Sequence, residues 1–194
     1  MSHGHGAGHG DAGEKKWVAI VISVLALCLA LAETLAKGAQ TNTIASTVEA
    51  SNLWAFYQAK TIRQTTFAAA TQEMEVMAQL ESDPVRKAAL EKRIAGWKEE
   101  VARYQSEPKP NGKGEGRKEL QERAIAEGKK RDLAGEKYHH YEVSSAAFQI
   151  GIVLASVYLL TNMMLMMFGA GLAATAGVAF FIIGTFFPSA VHLF

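Results

Sequence analysis

Three histidines close to the N-terminus, His3, His5 and His9, are the first residues in this sequence with a chemistry to offer. Imidazole nitrogen suits Zn, Ni and Cu ions. They form a weak candidate metal site, because no cysteine pair or acidic ligand pattern stands beside them. A second pair, His139 and His140, is adjacent on a predicted helix. Neighbouring helical positions point about 100° apart, so these rings do not readily grip one metal or haem. With Tyr138 and Tyr141 they read as an interfacial belt. Glu33 is the one ionisable residue in the apolar run from Trp17 to Ala36, and Gln149 and Asn162 are polar residues in the apolar C-terminal stretch. At membrane depth such groups are functional candidates by default. The three are candidates for lining a pore. The rival readings are hydrogen bonding across packed helices for the amides and reach into the headgroup layer for Glu33.

The familiar catalytic constellations are absent. No glycine-rich loop ends in Lys-Ser or Lys-Thr, no dinucleotide fingerprint follows a strand, and no His-Glu-x-x-His or paired-cysteine pattern supplies zinc ligands. No Gly-x-Ser-x-Gly elbow is present. The expectation is therefore no enzyme and no cofactor. The formal net charge of +1 gives no basic surplus of the kind that marks nucleic-acid binding. The single cysteine, Cys28, lies in an apolar run and reads as packing.

The elements that hold these residues are legible from where the charges stop. Val143 to Phe194, the last 52 residues, contain no Asp, Glu, Lys or Arg. A bilayer core of about 30 Å takes roughly 20 apolar residues per helix, so this stretch predicts a membrane hairpin over 143–194. Its first span is expected from Ala146 to Met167, with a turn near Gly169 and Gly171 and a second span to Phe187. Ala173 and Gly177 form a small-xxx-small pair that lets backbones approach. The run over 17–36, preceded by Lys15 and Lys16, predicts another transmembrane helix, retained rather than cleaved as a secretory leader. Residues 1–16, rich in Gly and His, predict a disordered tail.

Between the spans, residues 37–142 hold 18 of the 20 Lys and Arg and 16 of the 19 Asp and Glu. This extramembrane region predicts a helical hairpin or coiled coil. The first helix is expected to continue to Leu80. Val48, Ala55, Ile62, Ala69 and Val76 recur every seven residues, with Asn52, Ala59, Thr66, Glu73 and Leu80 on a matching line. Leu53, Phe56, Phe67, Met74 and Met77 form a stripe on another face. A helix apolar on two faces contacts two neighbours: one from its own chain and one from a second subunit. Asp83 and Pro84 predict an N-cap and first helical position. The following helix carries Leu90, Ile94, Trp97, Val101 and Tyr104 on one face, and the segment Pro108 to Gly114 predicts the hairpin tip. Lys129, Lys130, Arg131 and Lys137, before the second span, predict a cytoplasmic helical region.

At Ser51 to Gln64 (SNLWAFYQAKTIRQ) and Phe148 to Leu160 (FQIGIVLASVYLL) the chain resembles a family of small bacterial membrane proteins known only as domain of unknown function 4337. The resemblance extends to the layout of nearly the whole chain. It implies a multi-pass protein of the bacterial inner membrane and brings no activity, cofactor or catalytic residue.

The fold class expected is all-α, with three transmembrane helices and a long helical region between the first and second. The partners expected are membrane lipid, further copies of the chain and a second membrane protein. Candidate interface residues are Val48, Leu53, Trp54, Ala55, Phe56, Tyr57, Ile62 and Arg63. Two kinds of role fit this layout: a structural scaffold that assembles through helical packing, or an oligomeric channel or transporter component with a path lined by Glu33, Gln149 and Asn162.

Overall fold

No proline or run of helix-breaking residues interrupts the sequence between residue 9 and Leu80, and this stretch is one helix, α1 (His9–Leu80). In the computed structural model, which describes residues 9–110, 112 and 114–191 with side chains from residue 16, α1 is followed by α2 (Pro84–Gln105), α3 (Arg117–Thr161) and α4 (Met164–Phe186). A 3-10 turn follows at Pro188–Ala190, and there is no strand among the described residues. Three helices, α1, α3 and α4, are long and apolar enough to cross a membrane, by length and composition. The chain divides into two compact units, one made of Met1–Thr43 and Asp132–Phe194, the other of Ile44–Arg131.

The first unit joins parts of α1 and α3 to α4 through small residues. Val18, Ala155, Tyr158 and Ala170 form one buried cluster, Leu25, Ala32 and Phe148 a second, and Ala36, Ala39 and Tyr141 a third. Gly177 of α4 is buried where α3 crosses it, and a Cβ there would lie 2.7 Å from the Phe148 ring. Close backbone approach of this kind is what small residues permit. Ser144 uses it, donating to the Gly177 carbonyl at 2.8 Å.

The turn between α3 and α4 is at Asn162 and Met163, not at Gly169 and Gly171. Asn162 has φ 55°, a left-handed conformation that asparagine tolerates better than other residues with a side chain. Its N–H bonds back to the Tyr158 carbonyl at 2.8 Å, closing α3. The glycines instead fall inside α4, where Gly169 faces Leu154. Gly128 and Gly135 leave α3 unbroken.

In the second unit α1 is paired along its length by α2 and then by the start of α3. The chain leaves α1 at Leu80 and turns through Glu81, Ser82 and Asp83. The Asp83 carboxylate accepts from Val85 N–H at 2.8 Å and Pro84 takes the first helical position, as expected. α2 then returns along α1: Lys98 pairs with Glu75 at 2.6 Å, and the Phe67 ring packs on Trp97 and Tyr104. α3 continues in the same direction, with Leu120 and Ala124 on Leu53, and Arg123 3.9 Å from Glu49. The hairpin tip is therefore the Glu81–Asp83 turn. The Pro- and Gly-rich segment is a break partway down the returning side. It is closely packed at its end: a Cβ on Gly116 would lie 2.4 Å from the Glu107 nitrogen.

Candidate functional site

The face that α1 turns inward in the second unit consists of two lines with seven-residue spacing. Ala50, Thr71 and Ala78 are buried on one, with Tyr57 and Gln64 half-buried between them. Leu53 and Lys60 are buried on the other, with Phe67 and Met74 half-buried beyond them. The chain thus fills the Leu53 face of α1 itself. The line Val48, Ala55, Ile62, Ala69 and Val76 faces away and is exposed throughout, with Val48, Ile62 and Val76 at 55, 66 and 56 %. Its companions Asn52, Ala59, Thr66, Glu73 and Leu80 are exposed too.

This divides the expected interface residues. Val48, Trp54, Ala55, Phe56, Ile62 and Arg63 are exposed on α1. Leu53 and Tyr57 are committed inside the chain, Leu53 against Leu120 and Ala124, and Tyr57 against Arg117. Both therefore leave the outward set.

Lys60, which stands in the sequence cluster from Trp54 to Arg63, and Arg117, which the sequence pattern did not single out, occupy the middle of the second unit. Lys60 is buried between the Phe56 and Tyr104 rings, with its Nζ 5.5 and 5.1 Å from their centroids and 3.8 Å from the Glu107 carboxylate. Arg117 donates to the Tyr57 hydroxyl at 3.0 Å and to the side-chain oxygens of Gln64 and Gln105. Gln64 donates in turn to the Val101 carbonyl at 3.2 Å. Glu119 closes the break before α3: it accepts from the Ser106 hydroxyl and from Glu107 N–H. Burial pushes the Glu119 carboxyl up, but these hydrogen bonds outweigh it and hold the group below the usual glutamate range. This network locks α2 and α3 onto α1. Within it, among the described residues, the Arg117 Nε is buried without a hydrogen-bond partner.

In the first unit the structure brings two of the three expected polar-path residues together. Gln149 donates through Nε2 to the Glu33 carboxylate at 3.3 Å, and both side chains are exposed on the surface of the unit. Asn162, thirteen residues along α3 from Gln149, forms the α3–α4 turn. At about 1.5 Å of rise per residue it stands about 20 Å along α3 from the pair, so it shares no hydrogen bond with them.

Of the histidines, His140 is buried and donates from Nε2 to the Pro188 carbonyl at 3.0 Å, with its ring stacked on Phe180. His139 is directed elsewhere, 3.8 Å from the Glu142 carboxylate. The two rings diverge, as helical spacing requires. His3 and His5 lie outside the described residues, as does the side chain of His9. Among the described residues no three His, Cys, Asp or Glu side chains gather to hold a metal ion.

An all-helical chain in which three helices are long and apolar enough to cross a membrane, with a charged helical unit between the first and second, defines a class of helical protein suited by composition to a bilayer. Its family is more specific. The sequence pattern of the family described as Domain of unknown function (DUF4337) matches residues 14–187, and the chain belongs to that family. No curated protein and no solved structure matches it.

Proposed function

We propose that this protein is a structural, scaffolding component of the bacterial inner membrane that assembles with further copies of itself through α1. The observation that carries this reading is the exposed apolar line Val48, Ala55, Ile62, Ala69 and Val76, opposite a face of the same helix that the chain has already filled. Exposed apolar residues at seven-residue spacing on a charged, water-facing unit suit another helix of the same repeat. The occupant is a second copy. The line and its companions carry only one charge, Glu73, and small residues at Ala55, Ala59 and Ala69 allow two α1 helices to approach side by side as a coiled coil. Copies inserted in one orientation also present this line to each other in parallel and in register. No catalytic role is assigned to any residue.

The test is the particle mass in lipid nanodiscs. The wild type is expected as a discrete oligomer. The Ile62→Glu, Val76→Glu double variant is expected at a smaller mass with unchanged helical circular dichroism, since both side chains lie outside the intrachain packing. A monomeric wild type overturns the proposal.

A second reading, an oligomeric channel or transporter component with a path lined by Glu33, Gln149 and Asn162, is favoured by the joining of Glu33 and Gln149. It predicts ion flux in liposomes that changes in Glu33→Ala.

A further inference from the structure

Most hydroxyls of the apolar segments are satisfied within their own helix, and Ser144 is satisfied by the Gly177 carbonyl. Ser23, Thr34, Ser156, Thr161, Thr175 and Thr185 each donate to the carbonyl four residues back on their own helix, at 2.7 to 2.9 Å. A hydroxyl returned to its own helix asks nothing of its surroundings. Glu33 and Gln149 differ. They share one hydrogen bond of 3.3 Å, and among the described residues the second Gln149 N–H, the Gln149 carbonyl and the other Glu33 oxygen have no further partner.

The position of the pair makes this costly. Gln149 is seven residues past Glu142, the last charge on α3, which is about 10 Å at about 1.5 Å per residue. Glu33 is four residues before Lys37, about 6 Å by the same rise. One turn away along their own helices are the apolar Leu29 and Ala30 beside Glu33, and Ala146 and Val153 beside Gln149. In hydrocarbon, unpaired polar groups are stable only against another polar group or in a water-filled space.

We infer that the Glu33–Gln149 pair is a self-complementary contact point for a second copy of the chain within the membrane. The inference rests on the membrane-embedded, self-assembling reading above and states where the membrane part of that assembly is held. The pair contains its own complement: a free N–H on Gln149 and a free carboxylate oxygen on Glu33. Copies inserted in the same orientation carry these groups at the same depth. A two-fold axis along the membrane normal therefore sets the Gln149 amide of each copy against the Glu33 carboxylate of the other, with the amides between the acids. An isologous interface needs this reciprocity.

The test uses the full chain in membranes, with Cys28→Ser removing the native thiol and Ala146→Cys placing a new one at an exposed position one turn before Gln149. Oxidation is expected to yield a covalent dimer. Leu172→Cys, exposed on the outer face of α4, is expected to yield none. Adding Gln149→Leu to the Ala146→Cys chain is expected to lower the yield about threefold, the ratio of a typical interhelical hydrogen bond. An oligomer of normal mass that fails to crosslink at Ala146→Cys, or whose yield ignores Gln149→Leu, overturns this inference and leaves the assembly through α1 standing. Labelling of Gln149→Cys by a membrane-impermeant charged thiol reagent also overturns it, since the pair then faces water and the channel reading gains. A monomeric wild type overturns the assembly reading and this inference with it.

Discussion

In the first unit helices meet through glycine and alanine; in the second they meet through aromatic rings and long polar side chains. Gly177, Ala155, Ala170, Ala32, Ala36 and Ala39 bring backbones together in the apolar unit, and its surface hydroxyls bond to their own helices. In the charged unit Phe67, Trp97 and Tyr104 fill the seam, and Arg117 reaches across to Tyr57, Gln64 and Gln105. The difference follows from the surroundings that each composition suits. Where lipid competes equally for apolar surface, association depends on close van der Waals fit, and small residues supply it. Where water competes, burying large rings and satisfying a buried cation hold the helices together. Helix-to-helix contact is therefore most sensitive to added volume in the first unit and to lost polar partners in the second.

The sharpest way to break this comparison is to add volume at Gly177. A Cβ there meets Phe148 Cε1 at 2.7 Å, and Phe148 is itself 2 % exposed. Gly177→Val is expected to destabilise the first unit by about 3 kcal/mol, the upper end for overpacking a filled contact. Denaturation by sodium dodecyl sulfate from mixed micelles reads this. Phe148→Leu in the same chain is expected to recover part of the loss. A Gly177→Val protein as resistant as wild type would show that the close approach does not hold these helices.

The matching change in the second unit removes a partner rather than adding volume. Arg117→Met is expected to cost about 2 kcal/mol, since bonds from a charged donor are worth more than neutral ones. Hydrogen exchange is expected to quicken in the peptides around Gln64 and Val101 and to stay unchanged around Phe148. Faster exchange in both units, or no change in either, would remove the distinction. Asp83→Ala is smaller still. It deletes one cap bond, and about 1 kcal/mol is expected, seen as faster exchange confined to the first turn of α2.

Which of these residues the sequence revealed depended on how far apart in the chain their causes lie. Asp83 and Pro84 act on the next few residues, so the cap was legible, and so was the end of α1 at Leu80; its start at His9 falls inside the stretch expected as a disordered tail. The seven-residue repeat of α1 was legible as well, but not which line the chain would fill. Lys60, a cation on the buried line, conceals that face until Phe56, Tyr104 and Glu107 are seen around it. The α3–α4 turn was sought at glycines, while Asn162 met the left-handed requirement with a side chain that also reads as a pore residue. The Pro- and Gly-rich segment was legible as a break but not as a mid-length one, because its position depends on where α2 and α3 lie against α1. Glu33 and Gln149 were candidates separately. Their hydrogen bond spans 116 positions of sequence, and no local pattern records it.

The smallest expected effect concerns acid. Hydrogen bonds from Ser106, from Glu107 N–H and from its own backbone N–H hold the Glu119 carboxyl below the usual glutamate range, against the opposing effect of burial. The folded value is thus lower than the unfolded one. A group of this sign contributes its full stability above the unfolded value and loses it as pH falls through the unfolded and then the folded value. The break between α2 and α3 is therefore expected to loosen on acidification below the ordinary glutamate range, seen as faster proteolysis near Ser106 to Gly116 once cleavage rates are corrected for pH. Glu119→Gln, which keeps an acceptor but cannot titrate, is expected to cleave faster than wild type at neutral pH and to respond less to acid. If Glu119→Gln loosens with acid as much as the wild type does, the protonation that matters lies elsewhere in the second unit, and the nearest groups to examine are Glu107 and Glu115, which face Lys60 and Lys109.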